Sequence, residues 1–156
     1  MAPPPSRTRR NVCQNRRARF EYELLETFEA GLLLTGSEVK SLRGGKATLE
    51  DAWVGFDSAG RPFLFSAHIA TYPQANRENH EPTRPRPLLL HAEETRRLRQ
   101  RVKEKGLALV PIQLYFLGPW VKLEFAVGRG KKLHDKRASI REREDERETR
   151  RAIRGR

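Results

Sequence analysis

The sequence predicts a mainly β fold: a small β-barrel of about six strands with two or three short helices, and a disordered basic tail outside it. Three observations carry this expectation. Two runs between residues 110 and 127 alternate apolar with other residues on either side of Gly118-Pro119, the pattern of a hairpin. Shorter apolar runs bounded by turn residues recur at 20–34, 53–65 and 88–90. The charge is segregated to the two ends, which leaves about 108 residues (20–127) to enclose these strands. A flat sheet of so many strands would leave long edges open, and closing it into a barrel removes them.

Taken in order, residues 1–14 are rich in Pro, Arg and Ser without periodicity and read as a disordered arm. Residues 15–127 are the expected barrel domain, and 128–156 the tail. Phe20, Tyr22 and Leu24 alternate with Glu21 and Glu23 as a half-buried strand. The phase slips at Leu24–Leu25, which predicts a bulge, and Glu29-Ala30-Gly31 reads as a turn before Leu32–Leu34. TGSEVKSLRGG predicts a short helix, capped by Thr35 or Ser37, with Val39 and Leu42 inward and Gly44–Gly45 ending it. Thr48–Asp51 reads as one helical turn. Trp53, Val54 and Phe56, the turn Asp57-Ser58-Ala59-Gly60, and Phe63–Phe65 spell a hairpin. Residues 73–87 form a proline-broken polar loop with Arg77, Arg84 and Arg86.

Leu88–Leu90 precede a helix over about 92–105 that Gly106 stops. Leu98 and Val102 give it a narrow apolar stripe, and Arg96, Arg97, Arg99 and Arg101 occupy the rest. The strand of Val110, Ile112, Leu114 and Phe116 is partly apolar on both faces and is expected to be central. The strand of Val121, Leu123, Phe125 and Val127 is expected to have one wet face. An oligonucleotide-binding type of barrel suits this strand count.

The 156 residues carry a formal net charge of +12. Residues 1–19 hold six Arg and no acid, residues 128–156 hold twelve Lys/Arg against six Asp/Glu, and residues 20–127 hold fourteen of each. A neutral body with two basic arms matches a polyanion: nucleic acid, or less often an anionic membrane. The density is greatest in Gly128–Arg137, where five cations share ten residues with one imidazole and one carboxylate. No stretch approaches the ~20 apolar residues needed to span a bilayer, and MAPPPSRTRR has no apolar core of a secretory signal. Cys13 is the only cysteine, so no internal disulfide forms, and a reducing cytoplasm is expected.

None of His68, His80, His91 and His134 has a second His or a Cys at ligand spacing, which argues against zinc. His68 sits in an apolar run and is expected in the core. GRGKK lacks the spacing and the Ser/Thr of a phosphate-binding loop. His134–Asp135 is a pair capable of acid–base chemistry, as in a ribonuclease, but no scaffold holds it. An imidazole among cations suits stacking on a nucleobase. Asn15, Arg16, Arg17 and Arg19 lie where the N-terminal arm meets the first strand, either as a plain basic lead-in or as a clamp on phosphates. Glu29 is a solvated carboxylate or an acceptor for a base edge. The tail beyond Arg137 has helix-forming composition, almost no apolar face and one favourable pair, Glu146–Arg150. It is expected to be unfolded alone and helical only against a partner.

Four separated motifs, NRRARFEY (15–22), FEAGLLLTGSEVKSLRGGKA (28–47), PTRPRPLLLH (82–91) and GKKLHDKR (130–137) followed by REREDE, resemble the small protein B family, the SsrA-binding proteins of bacterial trans-translation. The resemblance covers about residues 15–156. It departs from the family pattern at Pro87, where the family usually has Lys. It implies an oligonucleotide-binding barrel whose partner is the tRNA-like domain of transfer-messenger RNA. Asn15, Glu29, Leu89 and Lys122 match RNA-contacting positions, with Arg16, Arg17, Leu88 and Leu90 as neighbours. Arg129, Gly130, Lys131, Lys132, His134, Asp135, Lys136 and Arg137 match the segment that occupies the ribosome's decoding centre and empty messenger channel, and Ala152 and Ile153 match later channel contacts. Elongation factor Tu and alanyl-tRNA synthetase are implied as indirect partners acting on the same RNA. No catalytic residue, metal or cofactor is implied. A ribonuclease and a structural ribosomal protein with basic extensions are the alternatives that the residues leave open.

Overall fold

The structure, a computed structural model, describes residues 8–104, 106–131 and 133–154. Its strands are β1 (Arg9–Gln14), β2 (Tyr22–Leu32), β3 (Ala47–Thr48), β4 (Trp53–Phe56), β5 (Pro62–Phe65), β6 (His68–Ile69), β7 (Arg86–Leu89), β8 (Leu107–Leu117) and β9 (Trp120–Gly130). The helices are α1 (Ala18–Glu21), α2 (Gly36–Arg43), α3 (Ala92–Val102) and α4 (Leu133–Arg154), with a 3-10 run at Pro73–Glu78.

Six strands close on themselves in the order β8-β4-β5-β7-β2-β9, because β9 pairs with both β2 and β8. β1 lies on the same edge of β8 as β4, and β3 pairs with β6 apart from the barrel. Leu64, Leu114, Leu123, Phe125 and Val127 fill the interior, and Leu98 of α3 and Leu42 of α2 join the same core. β8 is buried along most of its length, as its two apolar faces predict. On β9 the wet face holds at Trp120, Lys122 and Glu124, whereas Ala126 is buried.

The α2 helix forms where expected. Glu38 returns to the Thr35 backbone N–H at 2.9 Å to complete a capping box. The β4–β5 hairpin and the bulge, a register shift between Leu24 and Glu26, also match expectation.

Several elements differ. Residues 9–14 are a strand rather than a disordered arm, because the free edge of β8 offers a ladder that composition does not reveal. Ala18–Glu21 is a helical turn instead of the start of the strand. Glu29-Ala30-Gly31 is not a turn: β2 runs through it, since Gly31 pairs with Leu89 on one side and Lys122 on the other. At 48–51 the helical turn gives way to the end of β3 and a tight turn in which Ala52 N–H reaches Leu49 O at 3.0 Å. His68 is exposed. Among the described residues the buried histidine is His80, with Ser37 Oγ 2.9 Å from Nδ1 and Ile69 O 2.9 Å from Nε2. Residues 133–154 form one helix, and they contain no Gly or Pro to interrupt it.

Candidate nucleic-acid interface

Three strands converge on one open cleft of about 470 Å³. β2 contributes Glu29 and Gly31, β7 and its extension contribute Leu88, Leu89 and Leu90, β9 contributes Lys122, and Pro62, His91 and Glu94 complete the rim. Gly31 sits between Leu89 and Lys122 in the ladder, and a Cβ there would stand 3.3 Å from Leu89 Cβ. Its missing side chain keeps the cleft floor low. Strand alternation divides the leucines. Leu89 points out and is 58% exposed, Leu90 is half-buried, and Leu88, 4% exposed, lines the cleft from the core side.

Glu29 is not the loosely solvated carboxylate of a turn. The Tyr115 hydroxyl donates to its Oε2. Burial first, then the Glu29 carboxylate, push the Tyr115 hydroxyl well above its ordinary value, which keeps it a donor. Opposite Glu29 in the ladder lies Glu124, a like-charge pair that needs a counter-ion. Arg9 supplies one: its Nη2 donates to Glu124 Oε2 at 3.2 Å and to Gln113 Oε1 at 3.0 Å, and its guanidinium lies 3.8 Å from the Tyr115 ring centroid.

A second network fixes β7. Glu38 of α2 has no exposed side-chain surface. Arg84 Nε donates to Glu38 Oε1 and Oε2 at 3.1 Å each, and Arg86 Nε donates to Oε2. Arg86 also donates to Ala67 O at 2.7 Å and Pro82 O at 2.9 Å. Pro87 is accommodated next to it, because its carbonyl accepts the Leu33 N–H at 3.1 Å. The exposed Leu89 is thus anchored from behind by a buried ion cluster.

Asn15, Arg16 and Arg17 do not join this cleft. Asn15 is buried, donates from Nδ2 to Pro111 O at 2.9 Å, and lines a separate depression with Arg17 and Trp53. Arg16 is exposed at the start of α1. On α3 the expected basic face is partly neutralised, since Arg97 Nη2 donates to Glu26 Oε1 at 2.9 Å and Arg101 Nη1 to Oε2 at 3.4 Å.

The tail leaves from the far end of β9. Arg129 and Gly130 are exposed there, and Gly130 pairs with Tyr22. Lys131 Nζ donates to Arg19 O at 2.8 Å and its N–H to Glu21 O at 2.9 Å, which ties the start of the tail to α1. Arg143 lies 5.6 Å from the Phe20 ring centroid, while the described side chains of α4 are exposed, Arg137 among them. Lys132 and the side chains of His134, Asp135, Lys136, Ala152 and Ile153 lie outside the described residues. Lys122 and Gly130 are eight residues apart on one strand, a contour of about 26 Å at ~3.3 Å per residue.

The sequence reading missed Arg9, Tyr115, Glu38, Arg84 and Arg86 as partners of the cleft. The alternation of β8 puts Tyr115 on the face opposite Leu114 and Phe116; its pairing with Glu29 depends on register. Among the described residues no group of His, Cys, Asp or Glu is arranged to hold a metal, and no helix is long and apolar enough to cross a membrane. Burial pushes the Cys13 thiol up to about 11, so it is inert at neutral pH.

A family model described as SmpB protein matches residues 12–155. The chain is 53% identical over 155 residues to the SsrA-binding protein of Desulforudis audaxviator, with 99% of both chains covered. It is 54% identical over 142 residues to the SsrA-binding protein of Oleidesulfovibrio alaskensis, with 91% of each covered. A chain in a solved structure described as "tmRNA-SmpB: a journey to the center of the bacterial ribosome" superposes with a TM-score of 0.67 at 43% identity, over 83% of this chain and 94% of that one.

Proposed function

The chain belongs to the SmpB protein family, and on that premise we propose that it is the RNA-binding adaptor of trans-translation. The barrel holds the tRNA-like part of SsrA RNA (transfer-messenger RNA), and the tail enters the decoding centre and empty messenger channel of a stalled ribosome. The observation that carries this division is β9. It presents Lys122 to the cleft at one end and launches the basic tail at the other. In the cleft Lys122 offers a point charge to phosphate, Leu89 an apolar contact to a sugar or base, and Glu29 a fixed acceptor for a base-edge donor. Arg16 and Arg17, away from the cleft at the start of α1, add phosphate contacts. A compact body of this kind fills the volume of the anticodon arm that the tRNA-like domain lacks.

The tail spans 22 residues as α4 and reaches about 33 Å at ~1.5 Å per residue. That length fits a channel open only when no messenger occupies it. The protein acts in the cytoplasm and needs no catalytic residue; elongation factor Tu and alanyl-tRNA synthetase meet it only through the shared RNA.

Truncation before Gly130 is the test. SsrA RNA binding is expected to stay nearly intact while tagging of stalled chains is lost. Tagging that survived the truncation would overturn the division of labour.

A further inference from the structure

Trp53 opens β4 with 51% of its surface exposed. Its ring stacks on Phe65 across the hairpin, with centroids 4.3 Å apart and planes 19° from parallel, and Phe65 lies 5.9 Å from Phe63. Gly55 makes room for it: a Cβ there would come within 2.5 Å of Trp53 Cζ3. The indole is therefore held against the strand while half of it faces solvent.

Two further features point to a ligand. Trp53 lines the same depression as Asn15, Arg17, Glu50 and Asp51. Asn15 is 6% exposed, and its Oδ1 is buried yet accepts no hydrogen bond from the protein. An unmatched buried acceptor is costly unless something else supplies the donor. In the other direction, Phe63 pairs with Pro87, and Leu89 of the RNA cleft stands two residues further along β7. An apolar row thus connects Asn15 and Trp53 with the leucine cleft. The two groups of RNA-contacting positions implied by the family, which the fold separates, are ends of one track.

We propose that Trp53 and Asn15 form a base-stacking subsite that takes one unpaired nucleotide of the same RNA that occupies the leucine cleft. The indole stacks on the base, as aromatic side chains do with single-stranded RNA. Asn15 Oδ1, with Glu50 and Asp51 close by, accepts from an exocyclic amino group, which selects adenine, guanine or cytosine over uracil. The carboxylates exclude a phosphate from this end, and Arg17 at its rim takes the backbone. The inference rests on the adaptor function proposed above.

The chain has two tryptophans, Trp53 and Trp120, so the full-length Trp120→Phe protein reports on Trp53 alone. Titration with the tRNA-like fragment of SsrA RNA is expected to quench its emission in step with binding. In the parent protein Trp53→Ala is expected to weaken binding about 10-fold, with the salt slope unchanged because no phosphate contact is lost. Trp53→Phe is expected to retain most of the affinity. Parent-like affinity of Trp53→Ala overturns the subsite, as does quenching that appears only with ribosomes or a change in sedimentation without a change in RNA affinity. Leu89→Ala and Lys122→Ala separate the two failures. If they weaken binding and Trp53→Ala does not, the subsite fails and the adaptor reading stands. If none of the three does, the adaptor's cleft itself is misassigned.

Discussion

Glu38 is fully enclosed, yet its carboxyl ionises more readily than a free one. Burial is the largest influence and opposes the charge. The hydrogen bonds from Arg84, the Thr35 N–H and Arg86 outweigh it and hold the carboxyl at about 2, below its ordinary 4.5. Since the folded value is the lower one, this stabilisation is present above about 4.5 and is lost as pH falls toward about 2. Denaturant unfolding is expected to show stability declining across that window. Glu38→Gln is expected to cost about 3–5 kcal/mol at neutral pH, because it leaves a buried arginine uncompensated, and to flatten the acid dependence. A variant as acid-sensitive as the parent would show that other carboxylates carry the effect. Functionally, Glu38 acts at one remove. It touches no part of the cleft but holds the strand that presents Leu89.

Among the elements, β2 and α4 show opposite balances of local and tertiary forces. β2 keeps its extended form through Glu29-Ala30-Gly31 because β9 pairs with all three residues and β7 with Gly31. Local turn preference yields to ladder hydrogen bonds. Among the described residues α4 meets the barrel through Arg143 beside Phe20 of α1, after Lys131 has tied the chain to α1. Like-charge neighbours such as Arg143 and Arg147 at i,i+4 offset the Glu146–Arg150 pair. A peptide of residues 131–156 is therefore expected to be mostly coil by circular dichroism and to gain helix when it meets its RNA surface. A peptide already strongly helical alone would show that the tail needs no partner to order.

For the whole molecule the decisive quantity is where charge sits. A body with fourteen cations and fourteen anions cannot attract RNA by net charge. Long-range attraction is expected from the arms, and residues 9–14 of the first are paired to β8 as β1. Contacts with four or more phosphates imply that log affinity for SsrA RNA falls with log salt at a slope of about −3 or steeper. A nearly flat response would mean that apolar and base-edge contacts dominate, and the basic arms would then serve the ribosome alone.

Much of this protein is legible one residue at a time along the chain. Alternation located β8 and β9, a capping motif located α2, turn residues located the β4–β5 hairpin, and charge counting separated body from arms. The family motifs named the cleft residues Glu29, Leu89 and Lys122, which the fold brings together from three strands. What stayed hidden depends on pairing between distant segments. Strand β1, the continuation of β2 through Gly31, the Tyr115–Glu29–Arg9 network and the Glu38–Arg84–Arg86 cluster exist because barrel closure brings residues 46 to 115 positions apart into register. Period and propensity are local properties of a chain. A buried charge or a free strand edge is satisfied only by whatever the closed barrel brings beside it, and that choice belongs to the tertiary structure.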